Sequence, residues 1–487
     1  MKNKVQQSAP VKGTRIDVYV GLGVFVIALC LYLALAFPQL GDTEFYGIPL
    51  TSTPAQFLHQ LGGSDSGSYS RLALDFLDGN VSAENRWILN LWPPGIPFLL
   101  WFFMIVFGGT LPIVPMVVLT ACLWSTALAL LAVILVRRGA YVVFALFAAA
   151  WLFGPLLTGW TIHDGVISSD GISAALTAVV AIGLYFSTQQ EFAAVPGKTR
   201  IVYFAGIGFL LGVLSLFRVT WLFAALASLL ALAIFLAVVA VSRRLRRASP
   251  VTSAPTMRST VISWGAVVTG FALLTAPWTV ALGTVVHPGS YTWSSGDYQW
   301  AQLWMTDRHL EEGNASFLVD GEANWACEIN PVECRELEQI EQEKTAPYNG
   351  VGITFDEFQK RAILTAASHP LEFVGLRSVT TFETWLSVPG QPVGSMTAVT
   401  SGLISLVLFL FSCVSLVRDS IKGRSGAFFL LMLAGANLGM VWLTHFETRY
   451  MMPLQTIGLV VAALALATHE RGIRHRIITW SKERRKP

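Results

Sequence analysis

The chain has 487 residues, of which 54 % are hydrophobic and only 13 % charged, with a formal net charge of +3. That composition excludes two or three water-soluble domains, which this length would otherwise allow. Apolar runs of about 17–25 residues, the length that crosses a bilayer as a helix, recur along the chain. Lipid cannot hydrogen-bond to the backbone, so such runs are helical, and the fold class is an all-α polytopic membrane protein.

The predicted spans fall near residues 16–37, 112–136, 139–159, 170–187, 201–217, 219–241, 261–284, 396–417, 426–443 and 451–468. The first follows a basic tail (1–15) and is too long for a signal-peptide core, so it reads as a retained anchor. The apolar stretch from Pro94 to Phe107 is short and opens on two prolines, which suits a re-entrant or interfacial helix better than a crossing. Charge supports that choice. With this stretch not crossing, 23 of the 33 basic residues lie on one face and 25 of the 30 acids on the other. The positive-inside rule then places both termini in the cytoplasm of a plasma (inner) membrane protein and the acidic loops on the periplasmic or extracellular side.

This topology divides the chain into a transmembrane core over 16–284, an outer module over 285–395, closing spans over 396–468 and a basic tail over 469–487. The core contains a first outer loop over 38–111. The tails suit anionic lipid rather than nucleic acid. Cys30, Cys122 and Cys413 lie in apolar spans and pack as small hydrophobes. Cys327 and Cys334 stand in the polar outer module, where a disulfide matches an oxidising compartment.

The first outer loop is the most unusual segment. It carries Asp65, Tyr69, Asp75, Asp78, Glu84, Trp87 and Trp92 before Pro93-Pro94-Gly95. At neighbouring depths the topology adds His163, Asp164 and Asp170 before the fourth span, Arg218 between the fifth and sixth, and His445, Glu447, Arg449 and Tyr450 before the tenth. Ionisable groups at membrane depth are costly, so they are paired or functional. An arginine fork binds phosphate oxygens, and a carboxylate deprotonates a hydroxyl. Together they suit group transfer from a lipid phosphate. Each also has a structural reading: Asp65 and Asp170 as helix caps, Arg218 as half of an ion pair, Arg449 as an interfacial anchor. Asp42 and Glu44 are the rival bases. Nucleotide-binding loops and zinc or serine-hydrolase motifs are missing from the sequence.

One pattern is more specific. Asp65-x3-Tyr69-x3-Ala73-x3-Leu77-x-Gly79, followed by Trp92-Pro93-Pro94-Gly95-x-Pro97, resembles the first outer loop of GT-C glycosyltransferases. It is most similar to protein O-mannosyltransferase-like enzymes and lipid A aminoarabinose transferases. Ser169-Asp170-Gly171, Arg218, Pro277-Trp278, Ser368-His369-Pro370 and Arg449-Tyr450-x2-Pro453 follow in order.

The resemblance implies a GT-C fold of about ten transmembrane helices, a polyprenyl-phosphate-linked sugar donor and a glycan, lipid or protein acceptor. It implies Asp65 as the base and inversion at the anomeric carbon, with the role of an assisting acid either unfilled or moved to Asp170 or Asp164. It assigns Arg218, Arg449 and Tyr450 to the donor phosphate, while Tyr69, Trp92, His163, His445 and Glu447 would line the substrate. Many relatives carry a second acid directly after the base, where this chain has Ser66. No metal ligand is assigned, and dependence on magnesium or manganese stays open. The alternative reading is a transporter or flippase for a lipid-linked sugar, with ionisable groups at the midplane. A non-catalytic assembly factor is the third.

Overall fold

The computed structural model describes residues 15–40, 44–45, 48–49, 65–82, 85–86, 88–108, 113–153, 169–189, 192, 195–245, 257–286, 367–368, 370–386, 396–443 and 448–484. After α1 (Arg15–Leu40), a short ribbon pairs β1 (Glu44–Phe45) antiparallel with β2 (Ile48–Pro49). The first-loop helices follow: α2 (Asp65–Leu77), α3 (Ile88–Leu91) and α4 (Gly95–Val106). The bundle continues with α5 (Ile113–Arg137), α6 (Tyr141–Phe153), α7 (Ser169–Ser187), α8 (Gly197–Phe217), α9 (Val219–Leu245) and α10 (Met257–Ala281), the last prolonged by a π turn over Leu282–Val286. It closes with α11 (Pro370–Leu386), α12 (Met396–Ile421), α13 (Ser425–Leu443), a 3₁₀ turn over Thr448–Met451, and α14 (Met452–Arg484).

Eight of the described helices (α1, α5, α7, α8, α9, α10, α12 and α13) are long and apolar enough to cross a membrane. The remaining two expected spans correspond to α6 and to the apolar part of α14, Met452–Thr468. The molecule is a multi-pass helical membrane protein. At 12 residues α4 is about 18 Å long, shorter than the ~30 Å hydrocarbon core. Past residue 468, α14 continues as helix to Arg484.

Two helices form the centre. In α7, 83 % of the span is buried, against 17 % for α1, which packs on α5 at the margin. Small residues explain the difference: Gly171, Ser173, Ala174, Ala175, Thr177, Ala178 and Ala181 are all buried. Between membrane helices there is no hydrophobic driving force, so close backbone approach and van der Waals contact hold them together. From Met452 to Leu464, α14 is almost wholly buried, packed among α5, α6, α7, α12 and α13. Large apolar side chains such as Leu22, Val202, Leu230 and Val414 are exposed on the outer helices, where acyl chains solvate them.

The tightest crossing is between α8 and α10. A Cβ at Gly208 would lie 2.0 Å from the carbonyl oxygen of Val267, and one at Gly270 would lie 2.1 Å from that of Ala205. Only hydrogen fits at either point. Gly270→Ala is therefore expected to force the helices apart and destabilise the protein by about 1–3 kcal/mol, the usual cost of overpacking. Thermal unfolding of the reconstituted variant measures this, and an unchanged midpoint would mean that the crossing is looser than described.

The two ends of the bundle differ in charge. At one end Arg137 pairs with Asp17 at 3.1 Å, Lys422 and Arg424 approach Asp419 at 3.3 and 2.9 Å, and Arg200 donates to Ser259 Oγ at 3.0 Å. The opposite end carries the first-loop helices and the residues described next.

Candidate active site

Arg218 stands alone between two spans. It ends α8 in an extended backbone conformation (φ −147°, ψ 122°), and α9 begins at the next residue. Its backbone is satisfied locally: the N–H donates to Leu214 O at 2.9 Å and the carbonyl accepts from Trp221 N at 3.0 Å. That leaves the guanidinium to be positioned by side chains. Its Nη1 donates to Asp170 Oδ1, and its Cζ lies 4.0 Å from the centre of the Tyr450 ring.

Both members of the ion pair are largely buried, with side-chain exposures of 11 % for Arg218 and 9 % for Asp170. Asp170 lies in the first turn of α7, where the positive end of the helix dipole stabilises a carboxylate. Tyr450 belongs to the 3₁₀ turn that leads into α14. Arg218 therefore ties together the ends of four spans, α7, α8, α9 and α14. A buried pair of this kind leaves one face of the planar guanidinium covered by the ring, a cation–π contact. The N-terminal ends of α7, α9 and α14 converge there, and the positive ends of their dipoles favour an anion.

The first-loop helices reach the same place. A Cβ at Gly95 would lie 2.5 Å from Leu216 O and 3.0 Å from the Phe217 ring, so the first turn of α4 is pressed onto the last turn of α8, next to Arg218. This accounts for the glycine in Trp-Pro-Pro-Gly. Ring contacts complete the clamp. Tyr69 of α2 meets Trp92 edge-on at 6.1 Å, Phe76 stacks on Phe98 at 4.9 Å, and Phe98 meets Trp278 of α10 at 5.9 Å. Asp65 is the first residue of α2. Tyr69 follows one turn later on the same helix face, with Trp92 against it. The close approach of Gly95 to Leu216 brings α4 to the Arg218 end of the bundle, and α2 packs on α4. Substituting Gly95 by Ala is expected to lift α4 off α8 and to lower both stability and any activity that depends on this end, measured by thermal unfolding and turnover together.

One acid of the first loop has a structural task. Asp75 Oδ2 accepts hydrogen bonds from Ser82 N (2.9 Å), Ser82 Oγ (3.1 Å) and Asn85 Nδ2 (3.0 Å), closing the turn after α2. Three donors on one oxygen leave Asp75 poorly placed to act as a base. Arg449 lies between Thr448 and Tyr450 in the 3₁₀ turn. His163, Asp164, Cys327, Cys334, His445 and Glu447 lie outside the described residues, as do Asp42, Glu84 and Trp87. Among the described residues no three His, Cys, Asp or Glu side chains come together as a metal site would require.

No family model matches the sequence, and no curated protein matches it. Solved structures do. The chain is similar to the archaeal oligosaccharyltransferase AglB from Archaeoglobus fulgidus in complex with an inhibitory peptide and a dolichol-phosphate, at 14 % identity and a TM-score of 0.49, over 92 % of this chain and 50 % of that one. It is also similar to the Archaeoglobus fulgidus oligosaccharyltransferase tethered to an acceptor peptide, at 13 % identity and a TM-score of 0.46, over 91 % and 49 %. The chain spans about half the length of the structures it matches. Likeness of this degree assigns neither activity nor substrate to it.

Arg377 was not singled out by sequence reasoning. It is wholly buried in α11, and its Nε donates to Trp442 O at 2.7 Å. A signal was available: an arginine in an amphipathic stretch just after Ser368-His369-Pro370, on the face poor in basic residues.

Proposed function

We propose that the chain is an integral-membrane glycosyltransferase of the GT-C type, which moves a sugar from a polyprenyl-phosphate donor to an acceptor hydroxyl on the outer face of the membrane. The observation that carries this reading is the buried Arg218–Asp170 pair, faced by Tyr450, at the bundle end that α2 and α4 share. A lipid phosphate delivered from the bilayer would meet a guanidinium and several helix N-termini there. Asp170 holds the guanidinium in place, and Tyr450 covers one of its faces.

In this reading Asp65 takes the proton from the acceptor hydroxyl. The acceptor oxygen forms the new bond to the anomeric carbon as the bond from that carbon to the phosphate oxygen breaks. The electron pair leaves with polyprenyl phosphate, whose charge Arg218 and Arg449 stabilise. Attack opposite the leaving group inverts the anomeric centre. Tyr69 and Trp92, packed edge-on against each other, would offer the sugar an apolar surface.

The pair lies at the helix ends and not in mid-span, which disfavours the transporter reading, since that needs ionisable groups at the midplane. The deciding experiment incubates purified protein with synthetic polyprenyl-phosphate mannose, arabinose, glucose or aminoarabinose and an acceptor mixture, and follows released polyprenyl phosphate. Release with one of these sugars is expected. Movement of the intact donor across vesicles without release would support the transporter instead, and neither release nor movement would leave only a binding role.

A further inference from the structure

The helix α11 has an inverted pattern. Its exposed side chains include Leu371, Val374, Val379 and Phe382, between 48 % and 83 % exposed, whereas Arg377 and Thr384 are wholly buried. Its C-terminal end lies well down the side of α12: Trp385 Nε1 donates to Ser405 Oγ at 2.9 Å, and its ring lies 4.9 Å from Phe409. Leu386 meets Gly402 so closely that a Cβ there would stand 2.6 Å from Leu386 Cα. A guanidinium buried on a helix that shows its apolar side chains outward is expensive, and an apolar side chain would fill the space at less cost. Its partners show what it does.

Arg377 Nε donates to the carbonyl of Trp442, in the last turn of α13, at 2.7 Å. In return Trp442 Nε1 points to Ser378 Oγ at 3.4 Å. The guanidinium thus sits at the negative end of the α13 dipole and fixes where that helix stops. Six residues later the 3₁₀ turn begins, and α11 also packs against that turn. The turn carries Arg449 and Tyr450, and Tyr450 stands 4.0 Å from the Arg218 guanidinium.

We propose that Arg377 is a positioning residue, which clasps the end of α13 so that the Arg449–Tyr450 turn is held against Arg218. Its effect on the turn stands by itself; its effect on lipid phosphate rests on the function proposed above.

The test uses the full chain in lipid nanodiscs, with two readouts. Amide hydrogen exchange over Thr448–Met452 reports the turn without any ligand, and affinity for polyprenyl phosphate reports its consequence. Arg377→Gln is expected to speed exchange in that segment and to weaken lipid phosphate binding, each by about ten-fold, the scale of one lost charged hydrogen bond. Arg377→Lys, which keeps a cation near the carbonyl, restores part of both and carries the test if the Gln variant does not fold. Trp385→Phe removes the bond at the other end of α11 and should move neither readout.

In a Tyr450→Ala background Arg377→Gln should cost less affinity than it does in the wild type, because part of the effect passes through that ring. Exchange that is unchanged in a folded Arg377 variant overturns the proposal, and so does an equal change from Trp385→Phe. If exchange responds as expected but neither the wild type nor any variant binds polyprenyl phosphate, the clasp stands and the phosphate reading falls.

Discussion

Asp65→Asn is expected to lower sugar transfer by about two to four orders of magnitude, the usual contribution of a general base, while leaving the fold intact. The substitution separates two roles of one side chain. Asp65 opens α2, and at a helix start Asn serves about as well as Asp, so the helix keeps its beginning. Only the capacity to take a proton is lost. Released polyprenyl phosphate measured per unit time, alongside thermal unfolding, reads both roles. A variant with full turnover would move the base to Asp42 or Glu44, two further acids of the same loop. A variant with a lowered unfolding midpoint would show Asp65 to be a helix-start residue first.

The second large effect concerns the ion pair. Arg218→Gln leaves Asp170 buried with its charge uncompensated, which typically costs about 3–5 kcal/mol. It also removes the contact with the Tyr450 ring, worth about 0.5–2 kcal/mol. The single variant should therefore both destabilise the bundle and lose affinity for polyprenyl phosphate, which by itself does not tell structure from function. The double variant Arg218→Leu with Asp170→Leu does. Replacing both charges by apolar groups is often neutral or stabilising, so unfolding should return near the wild-type midpoint. Lipid phosphate binding should stay lost, because no guanidinium remains. If the double variant binds polyprenyl phosphate as the wild type does, Arg218 is a structural partner of Asp170 and the phosphate site lies elsewhere.

Particular segments show how far the sequence could be read. The spans were legible because lipid imposes one requirement everywhere: enough consecutive apolar residues, with all backbone groups satisfied within the helix. The same rule read Pro94–Phe107 as too short to cross, and the helix within it, α4, has 12 residues. Periodicity and length did not show that α7 and α14 would be the buried centre and α1 the margin. That depends on which helices carry small residues facing one another. Asp75 could not be told from Asp65 by type, since both are acids in one loop. What separates them is that Ser82 and Asn85 fold back onto Asp75.

By itself the sequence determined that this is a polytopic helical membrane protein, and its charge pattern pointed to Asp170, Arg218 and Tyr450 as neighbours at one end. Hydropathy and charge are sums over residues, and sums survive without knowledge of contacts. The tertiary structure decided that Asp170 pairs with Arg218, that Tyr450 covers the guanidinium, that Gly95 lets α4 rest on α8, and that a buried Arg377 closes α13 beside the turn. Each of these joins residues distant in the chain. Such contacts follow from how helices pack, and packing in lipid is set by small residues and a few buried polar bonds whose partners no local pattern names.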